Sequence, residues 1–291
     1  MKPYEGFIFI CGGPSDVTQA NPISVRDALQ RELAKDRQLD AKTRIAEHYK
    51  DWSKDGVYSD LLEFENHIAQ LSSVIVLIIE SAGSIAELGL FSALEGFREK
   101  LLVVVETEHY NTASFIRLGP IDYLEKSFRN IAECHRWLNE HSQLDHHALA
   151  EVPGELVAAI RQRIKSELPV RVFDPERWAD VALMICELIS LFSALTFKEI
   201  QHYLKSVRVS VSDAQLHQHL YILERLEFIF MEPKGSQRFY VSRDERSFVS
   251  FDTKITSFDL IRFRLEVIKS YEKDDKKRSR AIQEVRRRNA S

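Results

Sequence analysis

Three short apolar runs constrain this chain more than any other feature: GFIFIC at 6–11, VIVLII at 74–79 and LLVVVE at 101–106. Each falls far short of the roughly 20 residues that a membrane-spanning helix needs. None alternates polar with apolar, so each suits a strand covered on both faces, as in a parallel sheet flanked by helices. Helical spacing fills the intervals, in SVRDALQREL (24–33), SDLLEFENHIAQL (59–71) and IAELGLFSALEGF (85–97), and the stretch Ala41–Ala46 is a further candidate strand. Strands alternating with helices imply right-handed βαβ units and an α/β, Rossmann-like parallel-sheet domain over residues 1–145. Ligands of such sheets bind at the carboxyl ends of the strands. That edge here carries Cys11, Gly12 and Gly13, the turn ESAGS at 80–84, and the segment after Glu106.

Beyond residue 145 the pattern changes. A linking segment, 146–169, contains the helical stretch 154–168 and closes at Pro169. Residues 170–250 then read helix, helix, helix, hairpin. A long amphipathic helix at 174–194 is followed by helices at 196–205 and 212–228, which open on capping-box pairs, Thr196 with Glu199 and Ser212 with Gln215. Two short strands surround a Pro/Gly turn within 228–243. This order predicts a mainly helical winged helix-turn-helix domain, with a last helix at 257–273 and a basic tail within 251–291.

The chain has 40 Lys and Arg against 44 Asp and Glu, a net charge of -4, so any nucleic-acid surface has to be local. The reading helix of such a domain offers Asp213, Gln215, Leu216, His217 and Gln218, with no cation before Arg225. Phosphate neutralisation dominates DNA affinity, so this helix argues against tight autonomous duplex binding. Lys234 and Arg238 in the wing remain as backbone contacts, with Lys276, Lys277, Arg278 and Arg280 in a tail expected to be solvated and frayed. Cys11, Cys134 and Cys186 are scattered and read as reduced thiols. His146, His147, His217 and His219 have no partners at metal spacing and read as surface residues, so no metal is expected. The N-terminus lacks the pattern of a signal peptide, and a cytoplasmic protein is expected.

Glu87 carries two readings that composition leaves open. Ser84 and Glu87 stand at capping-box spacing, and an early Glu suits the helix dipole. The same residue lies on the ligand edge, beside the small residues Ser81, Gly83 and Ser84 and the Gly12–Gly13 turn, which together could hold a ribose and a phosphate. Glu80 and Glu106 end strands on this edge, where they would meet ribose hydroxyls or solvent. Cys11 reads first as a buried strand thiol, and Glu65 as either a solvated helix residue or a member of the site. Tyr110 and Arg117 would line the pocket or its rim.

The strand ending in CGG, the segment ENHIAQLSSVIVLIIESAGSIAELGLFS (65–92) and SFIRLGP (114–120) together resemble the nucleoside 2-deoxyribosyltransferase-like fold. More closely they resemble the effectors encoded beside retron reverse transcriptases, which couple such a domain to a C-terminal winged helix. The resemblance implies that Glu87 is the nucleophile on an anomeric carbon, with Cys11, Gly12, Gly13, Ser81, Gly83, Ser84 and Ser114 around the substrate. Where the family places a base-handling carboxylate on the preceding helix, this chain has Asn66, with Glu65 beside it. The family's sugar-orienting Asn, supplied by a neighbouring subunit, falls near Ser114. Both departures favour hydrolysis over base transfer. The resemblance therefore implies an N-glycosidase with NAD as first substrate and another nucleotide second, no cofactor, and a homo-oligomer or higher assembly. It implies a toxic antiphage activity restrained by a reverse transcriptase and its RNA-linked DNA. A nucleotide-sensing, DNA-binding regulator without catalysis and a structural subunit of a reverse transcriptase complex are the competing expectations.

Overall fold

The computed structural model describes residues 1–2, 4–45, 56–165, 172–243, 246–250 and 259–290. Pro169, expected to close the linking helix, lies outside them. The chain divides into two compact units, Glu5–Lys50 with Ile68–Glu167, and Met1–Tyr4 with Asp51–His67 and Leu168–Ser291.

The first unit is built on a five-stranded sheet. Its elements run β1 (Phe7–Cys11), α1 (Val25–Leu33), α2 (Arg37–Lys42), β2 (Thr43–Ile45), the end of α3 (Leu61–Gln70), β3 (Ser72–Ile78), α4 (Ala82–Ala93), β4 (Leu101–Glu106) and α5 (Thr107–Asn111). A π-helical turn at Arg117–Ile121 leads into α6 (Asp122–Phe128), β5 (Glu133–His135), α7 (His146–Leu149) and α8 (Val152–Lys165). The strand order is β2-β1-β3-β4-β5 and every pairing is parallel. The order reverses at β1 and β3, so the switch-point crevice opens at the carboxyl ends of those two strands. The apolar runs are buried on both faces as their composition requires: Ile8, Ile10, Val74, Val76, Val104 and their neighbours pack under α1 and α8, while Leu88 and Phe91 of α4 are themselves fully buried.

One expected boundary moves. Leu149, Val152, Leu156 and Ile160 belong to the core of the sheet. The segment 146–169 was expected to link two domains; α8 instead closes the first unit by covering α1, because its apolar face has a sheet to cover.

In the second unit α9 (Trp178–Phe192), β6 (Ala194–Leu195), α10 (Phe197–Ser206), α11 (Asp213–Arg225), β7 (Ile229–Lys234) and β8 (Gln237–Ser242) are followed by α12 (Leu260–Asp274) and α13 (Lys276–Ala290). The three strands form an antiparallel sheet in the order β6-β8-β7. Both capping boxes form, at Thr196 with Glu199 and at Ser212 with Gln215.

The first part of α3, through His67, belongs to this unit. His67 stacks on Trp178 with ring centres 4.2 Å apart, and Trp178 stacks on His219 at 4.4 Å. Tyr58 hydroxyl lies 2.8 Å from His67 Nδ1, and Gln218 donates to Glu63 at 3.0 Å. His219 is therefore an interior residue, 3% exposed, and not the surface histidine expected from its missing metal partners. Burial depresses the His67 pKa to about 3 and that of His219 to about 4.

The tail is also ordered. It forms α13, whose Ala281, Ile282 and Val285 pack with Phe239 and Val241 of β8. The run KKRSRAIQEVRRR has apolar residues at helical spacing among its cations, and that stripe outweighs the fraying expected from charge alone.

Candidate functional site

The turn after β3 decides what Glu87 can be. Helix α4 starts earlier than the sequence suggests, because Ser81 is its N-cap and Ser84 completes the capping box, Ser84 N–H donating to Ser81 Oγ at 3.1 Å. Glu87 thus stands in the second turn of α4, where a side chain cannot reach the free amides of the first. The capping reading of Glu87 is corrected: two serines do that work. Glu87 is half-buried, and its Oε2 is sealed from solvent.

Beside it, the β1–α1 turn holds an anion of the protein's own. Glu80 Oε1 accepts from Gly13 N–H at 2.8 Å and from Arg26 N–H at 3.0 Å, and its Oε2 accepts from Val25 N–H at 2.8 Å. The free amides at the start of α1, which would favour a phosphate, carry this carboxylate. A Cβ at Gly13 would come within 2.8 Å of Glu80 Cδ, and one at Gly12 within 3.0 Å of Glu80 Oε1. The two glycines leave room for Glu80, not for an open phosphate cradle. Glu80 is thus tied to three amides and is not simply a solvated strand end. Glu106 is buried and caps α5, accepting from Glu108 and His109 N–H.

A cavity of about 580 Å³ opens on the same edge. Gly13, Ser24, Glu80 and Ser81 contribute from the β1 and β3 ends, His109, Thr112 and Ser114 from the segment after β4, and Trp137 and Ser142 from the segment after β5. Ile23, Ile79 and Ile85 supply apolar wall. Small hydroxyls against an apolar wall suit a sugar carrying a flat ring. Of the expected substrate contacts, the structure gathers Gly13, Ser81 and Ser114 around this space, whereas Cys11, Gly12, Gly83 and Ser84 do not line it. Cys11 is core within β1, and Ser84 is fixed by capping. Glu87 does not line the cavity either. It sits two residues from Ile85, about 200° around the helix, so the two flank α4 on different sides.

Glu65 is 7% exposed, which excludes the solvated-face reading, and Asn66 is half-buried. Both lie in the part of α3 that belongs to the second unit. Tyr110 and Arg117 form a cluster of their own. Arg117 lies over the Tyr110 ring and pairs with Glu125 at 3.2 Å, and the hydrogen bond from Tyr110 to Glu125 raises the phenol pKa. His109, Thr112, Ser142 and Trp137 are among the lining residues that sequence reasoning missed. Only the position of the first two, just after a strand end, pointed to them.

The expected nucleic-acid contacts divide. Arg238, Lys276, Lys277 and Arg280 are exposed. Arg278 is buried, paired with Glu199 at 2.7 Å and Asp275 at 3.1 Å, and lies over Phe239 and Tyr271. It holds α13 to the hairpin and is withdrawn from any ligand. Lys234 is engaged with Glu284 and Glu232. On α11, Leu216 is core, Gln215 caps the helix and Asp213 accepts from Gln201 at 2.6 Å.

A parallel α/β sheet with a ligand-sized cavity at its carboxyl edge defines the class of the first unit. The chain belongs to the STM3845 retron effector family, whose model matches residues 22–231. It is 36% identical over 128 residues to a protein of retron Ec86 from Escherichia coli, named as a proposed ribosyltransferase/DNA-binding protein, covering 44% of this chain and 40% of that one. It is 35% identical over 68 residues to the Escherichia coli retron Ec73 protein of the same designation, covering 23% of this chain and 22% of that one. The chain thus spans about two fifths of the first relative's length and about a fifth of the second's. Among the described residues, no helix is long and apolar enough to cross a membrane.

Proposed function

We propose that this retron effector cleaves the N-glycosidic bond of a nucleotide, with NAD as the first substrate and Glu87 as the nucleophile. The observation that carries the reading is the release of Glu87 from capping. A half-buried carboxylate beside the ligand edge of a parallel sheet has no duty at the helix end. The retron relatives' designation as ribosyltransferases supports the same bond type.

In the step proposed, a Glu87 carboxylate oxygen bonds to C1′ of the ribose as the C1′–N bond breaks. The electron pair of that bond moves to the pyridinium nitrogen and releases neutral nicotinamide, so the leaving group needs no proton. Water then attacks C1′ of the glycosyl ester, frees ADP-ribose and regenerates the carboxylate with loss of one proton. Because nicotinamide leaves the pyridinium of NAD without a proton, this reading requires no acid on the preceding helix. On this reading the reacting carbon meets α4 on its Glu87 flank. The second unit is then a winged helix that docks on a reverse transcriptase and its RNA-linked DNA, whose release frees the activity.

The test compares wild type and Glu87→Gln, alone and with the reverse transcriptase complex, on NAD and a nucleotide panel, with free base followed by chromatography. Wild type releases base. The variant is slower by at least about 10³-fold, the scale of losing a nucleophile, and its melting curve shows that it is still folded at the assay temperature. Release that survives in Glu87→Gln removes Glu87 from the chemistry. No release by wild type in either state refutes the enzyme reading.

A further inference from the structure

A second cavity, of about 300 Å³, lies within the helix-and-hairpin unit between α9, β8, α12 and α13. Among the described residues its charged lining has one sign: Arg243, Arg264 and Arg286 reach it with Ser242 and Asn289, and no carboxylate does. Arg264 is the telling member. It is 9% exposed, its Nη2 donates to Ser190 Oγ at 2.7 Å, and its Nε is sealed from solvent without an acceptor. Among the described residues that hydroxyl is the group that answers it, and a buried charge so served is costly, since such charges are normally paired. Arg286 reaches the same cavity from the exposed face of α13. Arg243 is tied to Glu227 in an exposed, solvent-screened pair. The carboxyl end of α9 adds only about −0.5 of a charge, which the guanidiniums of Arg264 and Arg286 outweigh.

We propose that this cavity binds a phosphate group of a nucleic-acid strand. Guanidinium forks match phosphate oxygens, and serine and asparagine donors complete such a shell. The volume stands at the lower end of ligand sites, enough for one nucleotide-sized group. The surroundings favour a polymer over a small free anion. On α13, exposed Lys276 and Arg280 stand on the face next to Arg286, about 80° and 120° around the axis from it and about 15 and 9 Å along it. A strand held at Arg286 can continue across that basic face. The inference concerns the second unit alone and does not rest on the glycosidic reading.

The full chain is titrated against a fluorescein-labelled single-stranded DNA oligonucleotide, by anisotropy over a range of salt. Arg286→Gln weakens binding by about tenfold or more, lowers the salt slope by about one and leaves the melting temperature unchanged. Arg264→Gln weakens it further. Arg262→Gln is the control, since Arg262 pairs with Glu266 outside the cavity, and it binds as wild type does. Unchanged binding in Arg286→Gln, or equal weakening in the Arg262 control, overturns the site. Displacement of the oligonucleotide by an equimolar nucleoside monophosphate or by inorganic phosphate assigns the cavity to a free anion and overturns the nucleic-acid assignment.

Discussion

The stack of His67, Trp178 and His219 makes the second unit acid-sensitive well above the range where carboxylates titrate. Burial is the largest cause for both histidines. For His67 the neighbouring His219 adds to the depression and Asp60 opposes it. For His219 two backbone carbonyls, of Gln215 at 2.7 Å and Trp178 at 3.3 Å, favour the charged ring but do not overcome burial. In the unfolded chain each ring titrates near 6.5. In the fold they stay neutral down to about 3 and about 4. The unfolded state therefore binds more protons below pH 6.5, and stability falls as pH falls through that value, at about 1.4 kcal/mol per pH unit per histidine. At pH 5 this is about 2 kcal/mol for each ring and about 4 kcal/mol for both. That is a large share of a domain's stability and on the order of 10 °C in melting temperature.

Urea unfolding of wild type and of the double variant His67→Phe, His219→Phe, between pH 7.5 and 5.0, isolates this contribution. Phenylalanine keeps a ring against Trp178 but cannot titrate. The double variant is less stable at pH 7.5, since it loses the Tyr58 hydrogen bond, so the slope with pH is the readout. The wild-type midpoint falls steeply below pH 6.5 and that of the variant stays nearly flat. Parallel curves would refute the assignment of acid sensitivity to this stack.

Other substitutions probe the remaining geometry. Glu80→Ala strands three amides that now share one carboxylate and lowers stability by about 2–4 kcal/mol, read as a urea midpoint; Gly13→Ala, whose Cβ meets Glu80, lowers it by about 1–3 kcal/mol. Arg278→Met removes one partner of a buried ion pair and lowers the melting temperature, whereas Arg280→Met on the exposed face of α13 changes stability by no more than about 0.5 kcal/mol. Ser81→Ala costs about 1 kcal/mol as a lost helix cap, read as a melting curve.

The strands were legible because parallel-sheet strands are apolar on both faces: β1 and β4 fall within the runs that suggested them, and β3 overlaps its run but starts two residues earlier, at Ser72. Both capping boxes of the second unit were legible for a similar reason, since the hydroxyl and the amide or carboxylate lie three residues apart in the chain. The start of α4 was not, because Ser81 and Ser84 compete with Ser84 and Glu87 for the same pattern. The turn resolves it in favour of the earlier pair, which lets Ser81 Oγ also face Gly12 carbonyl oxygen at 3.4 Å. Arg278 and His219 were misread for one reason. Both are polar residues on helices whose partners, Glu199 for the first and Trp178 for the second, stand far off in sequence. Their burial is a tertiary fact that local pattern does not carry.

Glu80 bears on where a substrate can sit. Glycines after a first strand, followed by a helix amino terminus, are a pattern that elsewhere receives phosphate, and here the same amides receive a carboxylate from the next strand of the sheet. A tethered anion holds such a site at a high effective concentration. An incoming phosphate would have to displace three hydrogen bonds and leave Glu80 beside a like charge. On the proposed reading, the phosphates of a nucleotide substrate are therefore better accommodated away from Gly13, with the reacting ribose carbon on the Glu87 flank of α4. That division suits the proposed site, whose decisive group is a carboxylate, because an oxocarbenium-like centre needs an anion close by.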